Sequence, residues 1–342
     1  MTTRSRSLDA LVAQLDPVPG HRLPALDRRA RADLDAVLAT GPAPVAVPAH
    51  PRARRLRLLP APVAVALAAA LALVLVVLWP SAGPASRVLG GGGQAFAATP
   101  PPLQYRPLPG APSARTLLEQ IAARTAALPA DTGTGRYAHL VTDGWSLWTT
   151  VDGKRVTSEV VPQSGESWTA EDGSGRVVET TEEPGERPRR EDTRYGPGEQ
   201  YADPALRSLS ADDDELRRQL EVGHPVANGP AERLVAVEDT VRAVPLQPAV
   251  RAALLRYLAA TRGLSVTGAV TDRAGREGIA FSLDSDYSGL PTRYTVVVDP
   301  GDGRVLASED TLTTTAGQLD VPIPSVIGYE VHLSADYSDR LD

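Results

Sequence analysis

The sequence predicts an α+β fold: one antiparallel β-sheet with helices packed on one face, tethered to a membrane by a single transmembrane helix. Three observations support this prediction. An apolar stretch of 22 residues, 58–79, carries no charged side chain. After residue 113, short β-rich runs alternate with polar turns. Helical periodicity then takes over between residues 210 and 261 before strands return, and such separate blocks are typical of α+β domains, including an open half-barrel.

Residues 58–79 are long enough to cross a bilayer. At ~1.5 Å per residue this helix spans roughly 33 Å, about the hydrocarbon thickness of a membrane. Arg52, Arg54, Arg55 and Arg57 stand directly before it, so the positive-inside rule predicts a cytoplasmic N-terminus. The stretch exceeds a usual signal-peptide core, so we expect an uncleaved single-pass anchor in the cell membrane with an extracytoplasmic C-terminal domain.

Residues 1–57 carry two short helical patterns and a Pro-rich tether. Two short helices make no strong independent core, so the segment is either a docking site for a cytoplasmic partner or a weakly ordered tail. Its ten Arg and five Asp give a net charge of +5, whereas the rest of the chain carries −12. An acidic domain is poorly suited to nucleic-acid binding, and we expect none.

Residues 80–112 predict a stalk, because Pro and Gly are frequent and residues 90–93 are four consecutive glycines. Residues 113–342 should form one domain, beginning with a helix capped by Ser113. Asp-Gly pairs at 143–144, 152–153 and 172–173 predict hairpins between β-rich runs. Those runs cover residues 136–142, 145–151, 155–161, 166–170 and 175–183, and the charged segment 184–204 predicts an exposed loop.

A helical block should follow from Ser210, which is the expected cap of its first helix. Two more helices are predicted over residues 231–244 and 248–261. The last carries Leu254, Leu255 and Leu258 on one face, and we expect these leucines to pack on the sheet near a tryptophan of the early strands. The closing strands are predicted over residues 264–271, 278–283, 292–299, 304–311 and 327–333.

Motifs for catalysis or metal binding are missing from the sequence. The chain has no Cys, and no H-E-x-x-H, Walker A or G-x-S-x-G motif. The histidines after the anchor, His139, His224 and His332, are widely spaced in the sequence. Clustered aspartates are accounted for by helix ends and turns. We therefore predict no catalytic residue, no metal ligand and no cofactor.

Two tryptophans on the early strands are candidates for lining a ligand groove. Trp145 and Trp148 are three residues apart and therefore face opposite sides of a regular strand. Leu255, in the helix that should cover the sheet, is the third candidate. Core packing is the alternative for all three.

Five segments carry a family resemblance: QAFAATPPPLQYRPLPG, RTAALPADTGTGRYAHL, WSLWTTVDGKRVTSEVVPQSGESW, GRVVETTEEPG and VVVDPGDGRVLASE. Together they resemble a family of uncharacterised single-pass actinobacterial membrane proteins, often encoded beside extracytoplasmic-function sigma factors. The family has no established catalytic residues to carry over. The order of helix and strands is also similar to that of LolA/LppX-type half-barrels, a likeness of fold alone.

The resemblance and the topology lead us to expect a non-enzymatic, membrane-anchored extracytoplasmic binding or sensing protein, whose N-terminal segment meets a partner such as a sigma factor. Two alternatives stay open: a half-barrel that holds a lipid or other small apolar ligand, and a cell-envelope hydrolase. An apolar cavity would favour the first, and paired buried carboxylates in a cleft the second. Self-association also stays open, because Ala64, Ala68 and Ala72 form a small-xxx-small pattern.

Overall fold

The computed structural model describes residues 99–152, 155–200 and 204–342. The predicted cytoplasmic segment 1–57, the transmembrane helix 58–79, the four arginines before it and residues 80–98 of the stalk lie outside these ranges. Among the described residues, no helix has both the length and the apolar character needed to cross a membrane.

A single ten-stranded antiparallel sheet, accompanied by helices, forms the described part of the chain, which confirms the α+β prediction. The strand order is β1-β6-β7-β8-β9-β10-β2-β3-β4-β5. The strands are β1 Tyr105–Arg106, β2 Tyr137–Asp152, β3 Arg155–Ala170, β4 Gly175–Thr181, β5 Arg189–Tyr195, β6 Ser265–Thr271, β7 Glu277–Ser285, β8 Thr292–Val298, β9 Val305–Leu312 and β10 Ser325–Ser338.

The helices come from two places in the sequence, one before β2 and the others between β5 and β6. They are α1 Ala114–Ala126, α2 Pro204–Arg207, α3 Asp213–Gly223, α4 Glu232–Ala243 and α5 Pro248–Ala259, with a 3-10 turn at Val226–Asn228. Ser113 caps α1 as predicted, since its hydroxyl accepts a hydrogen bond from the Thr116 amide. The cap of α3 is Asp212 rather than Ser210, whose hydroxyl instead accepts from the Asp212 amide.

The main core lies between the helices and the face of the sheet towards them, here called the inner face. Phe281 of β7 and Val296 of β8 are fully buried there against Leu255 and Leu258 of α5. The prediction that these leucines pack near an early-strand tryptophan was wrong. Their cluster in the described structure contains no tryptophan, because α5 packs on the β7–β8 half of the sheet and on α1.

A smaller core covers the opposite, outer face. Ala280 and Val297, the strand neighbours of the inner-face residues, are buried there, and Leu103 and Tyr105 pack against them. The Leu103 amide donates a hydrogen bond to Glu309, 3.2 Å away, and Tyr105–Arg106 pair with β6. The end of the predicted stalk, up to residue 112, therefore includes chain that packs on the outer face.

Three predictions about the early strands were wrong. The predicted runs 155–161 and 166–170 form one continuous strand, β3. Residues 143–144 form no hairpin, because β2 runs through them as one 16-residue strand. Gly144 lies instead between two partner strands, and a Cβ there would stand 2.3 Å from the Tyr329 carbonyl oxygen. The segment 184–204 is not all loop either, since β5 forms within it and its Asp192 pairs with Arg176 of β4 at 2.6 Å.

Candidate functional site

A cleft of about 620 Å³ separates α4 from the inner face of β2, β3, β4, β9 and β10. We call it the acidic cleft. Glu330 of β10 belongs to its floor, because its side chain accepts a hydrogen bond from Arg242 of α4 and therefore points to the helices. Directly opposed residues on antiparallel strands share a face, so Gly144 and Ser308, both paired with Glu330, also belong to the floor.

Small side chains keep this floor open. Gly328, Gly144 and Gly165 stand on three adjacent strands. Thr142 and Ser146 flank Gly144 along β2, opposite Gly165 and Gly328. A Cβ added at Gly328 would meet nothing nearer than 3.8 Å. The sheet therefore cannot fill the gap to α4 here as Phe281 and its neighbours fill it on β7 and β8.

Carboxylates converge on this gap from four elements. Glu238 and Asp239 come from α4, Glu179 from β4, Asp310 from β9 and Glu330 from β10. Arg242 is the cation among them, with its Nε 2.7 Å from Oε1 of Glu330 and its Nη1 3.6 Å from Oδ1 of Asp239. This arrangement leaves Glu238 and Asp310 without a bonded cation among the described residues.

Glu238 and Asp310 each have one carboxyl oxygen that is shielded from solvent and makes no hydrogen bond to the described residues. Within the part of the chain that the structure describes, Oε1 of Glu238 and Oδ1 of Asp310 have no hydrogen-bond partner. Buried polar atoms are usually bonded, and each exception calls for an explanation such as a ligand or water. The two oxygens mark the place in the cleft where a hydrogen-bond donor is missing.

Burial also changes the protonation of this pair. It raises the pKa of Asp310 to about 7, against the opposing effect of Arg242. Burial, followed by the charge of Asp310, raises the pKa of Glu238 well above its usual value. Each ionised group disfavours ionisation of the other, so near neutral pH the pair retains a proton.

The three ligand-lining candidates from the sequence do not come together. Trp145 borders the acidic cleft, but its ring packs edge-on against Tyr329, 5.9 Å between centroids, on the outer face. Trp148 is 43% exposed and does not line the cleft. Leu255 is buried in the main core and lines a second cavity between α5 and the sheet.

The cleft carboxylates Glu238, Asp239, Asp310 and Glu330 were not singled out from the sequence. Two of them, Glu238 and Asp310, could have been recognised from their positions. Glu238 follows Leu234 by four positions and precedes Val241 by three, which places a carboxylate on the apolar side of a predicted helix. Asp310 sits within a predicted strand. A charged side chain at either kind of position is rarely fully buried unless it is paired.

Comparison with protein-family models, with curated proteins and with solved structures gives no match. The resemblance to the actinobacterial membrane proteins stays a prediction.

Proposed function

We propose that the chain is a membrane-anchored extracytoplasmic binding or sensing protein, without enzymatic activity, that takes its ligand in the acidic cleft. The observation that carries this proposal is the pair of unbonded, shielded oxygens on Glu238 and Asp310 beside an open, small-residue floor. A ligand that enters the cleft supplies the missing donors.

The charges in the cleft indicate which ligand fits. Arg242 is already engaged by Glu330 and Asp239, so it has little capacity left for an anion. The oxygens that need partners belong to carboxyl groups, and a carboxylate bonds most strongly to a charged donor. A small molecule or peptide with an ammonium or guanidinium group suits this site, and its binding displaces the retained proton.

The rest of the architecture belongs to the same proposal. The apolar stretch 58–79 supports a single-pass anchor, and the arginines before it support a cytoplasmic N-terminus. The open sheet is proposed to be a half-barrel with its concave side towards the helices. The family resemblance supports a link between ligand binding outside and a sigma factor inside.

Calorimetric titration of the purified full-length protein with cadaverine tests the cleft. We expect binding that weakens with added salt, and none for neutral pentanediol of the same length. Glu238→Gln and Asp310→Asn should each weaken cadaverine binding about tenfold, the scale of a lost charge-assisted hydrogen bond. Glu119→Gln, an exposed carboxylate on α1, is the matched control. Equal cadaverine affinity in the parent and in all three variants would contradict the proposal.

Mass spectrometry of the protein purified from its native membrane addresses the ligand itself. A cationic compound that leaves the protein when Asp310 is replaced by Asn is the expected result. Recovery of only acyl lipids would favour the apolar-ligand alternative, which the polar floor of the acidic cleft supports poorly.

A carboxylate hydrolase is the second candidate, and one observation favours it. Burial raises the pKa of both Glu238 and Asp310, which favours a protonated carboxyl group beside an ionised one, and a hydrolase needs one carboxyl group as acid and another as base. The two functions differ in the fate of the ligand. A binding protein returns the bound compound unchanged after long incubation, whereas a hydrolase returns cleavage products and loses turnover in Asp310→Asn.

A further inference from the structure

A second cavity, of about 430 Å³, lies between the helices and the β9–β10 part of the sheet. We call it the His332 cavity. Apolar residues of α4, of α5, of the loop between them and of β9 form much of its wall: Val241, Val244, Leu246, Leu254, Leu255 and Leu306. Its size falls within the range of ordinary small-molecule sites.

The imidazole of His332 is a buried polar group in the wall of this cavity. It pairs with Thr142 of the cleft floor and alternates with Val331 of the outer core, so its ring lies on the inner face. The side chain is only 9% exposed. Among the described residues, neither Nδ1 nor Nε2 has a hydrogen-bond partner, and Oε1 of Glu330, 3.5 Å from Nδ1, instead accepts from Arg242.

We propose that the His332 cavity is a second binding site, for a small uncharged molecule whose apolar body packs against α4 and α5 and whose hydroxyl group bonds to His332. A neutral imidazole has one N–H donor and one lone pair, and a hydroxyl group can satisfy whichever nitrogen it meets. Burial supports the neutral form, because it lowers the pKa of His332 to about 4.

The arginines of this cavity do not call for an anionic ligand. Arg251 and Arg304 both bond to Asp131, at 2.8 Å each. Arg276 donates to the backbone oxygens of His332 and Leu306. Since these cations are satisfied, the unmet hydrogen-bonding capacity is that of the imidazole.

Para-fluorophenol and fluorobenzene form a probe pair that differs only in the hydroxyl group. Fluorine resonances of each probe, titrated with the full-length protein, give both affinities. We expect para-fluorophenol to bind about threefold to tenfold more tightly, the factor expected for one net hydrogen bond. It should also shift the ring nitrogen resonances of His332. Equal affinities, or unmoved resonances, overturn the proposal.

Variants at His332 separate the site from adventitious binding. His332→Phe should bring the affinity ratio of the two probes to about one, whereas His332→Gln keeps a donor and an acceptor and should preserve the preference. Trp148→Ala removes an exposed ring that could hold a phenol at the surface, and should change nothing. An undiminished ratio in a folded His332→Phe, or an ordered water on the imidazole that para-fluorophenol does not displace, refutes the site.

Discussion

Arg242 of α4 and Glu330 of β10 join the helical layer to the sheet across the acidic cleft, with Nε donating to Oε1 at 2.7 Å. Arg242 also faces Asp239, and its charge opposes the rise in the pKa of Asp310 and Glu238. This single guanidinium therefore fixes the wall of the cleft to its floor and offsets the repulsion among four carboxyl groups.

Replacing Arg242 with Met should lower the free energy of unfolding at neutral pH by ~1–3 kcal/mol, because Glu330 loses its hydrogen-bond partner and Asp239 loses a nearby positive charge. Urea denaturation measures the change. Arg218→Met removes an arginine whose side chain is 64% exposed on α3, and this control should differ from the parent by less than about 0.5 kcal/mol. A similar small change in both variants would show that the Arg242 contact contributes little to stability.

Membrane topology gives a prediction that depends on the sequence alone. A reporter fused after Asp342 should be active outside the cell, and the protein should keep its full mass, because the arginines before residue 58 hold the N-terminus inside. Protease protection and intact-mass measurement check the two parts. Activity inside only, or a mature form that begins near residue 98, would contradict the anchor.

The sequence predicted the fold class and most of its later strands, because alternation and turn residues are local signals. It failed where a local signal had a non-local cause. Asp143-Gly144 has the composition of a hairpin turn, but Gly144 is needed where β2 passes close to the backbone of β10. Likewise β5 is rich in charge, and its position at the end of the sheet beside β4 tolerates that composition.

The acidic cleft could be predicted only in part for a similar reason. The sequence shows that Glu238 interrupts an apolar stripe and that Asp310 lies in a strand. It does not show that β9 and α4 face each other, which depends on the packing of the whole helical layer. The unbonded state of the two oxygens is likewise a property of the assembled cleft.

Leu255 offers a test of the main core that does not involve the acidic cleft. It is 2% exposed between α1 and the sheet, so Leu255→Ala should lower the free energy of unfolding by about 2–5 kcal/mol. Leu333→Ala is the matched control, since Leu333 is 45% exposed, and it should cost far less. Thermal unfolding that shows equal losses for the two variants would contradict this packing.

His332 and its lowered pKa predict an effect that appears in acid. Below about pH 6.5 the unfolded chain protonates this histidine, whereas the folded protein leaves it neutral until about pH 4. The parent should therefore lose stability as the pH falls through that interval. His332→Gln binds no such proton, so its free energy of unfolding should increase relative to that of the parent as the pH falls from 6.5 to 4. A constant difference between the two unfolding curves would contradict the burial of the imidazole.

Asp310 should make the protein less stable as the pH rises, the opposite of the effect of His332, over a pH range that overlaps with it. The pKa of Asp310 is raised from 3.8 in the unfolded chain to about 7 in the folded protein. As the pH rises, the unfolded chain releases the proton first, and the free energy of unfolding falls. Below pH 3.8 both states are protonated and this loss of stability is absent; above 7 it is complete. Asp310→Asn cannot ionise, so its free energy of unfolding should increase relative to that of the parent across this window, by up to about 4 kcal/mol. Chemical denaturation of both proteins at a series of pH values measures the difference, with Asp214→Asn on exposed α3 as the control. If the Asn variant instead becomes less stable relative to the parent as the pH rises, Asp310 is stabilised as an anion, and the inferred protonation of the pair near neutral pH is wrong.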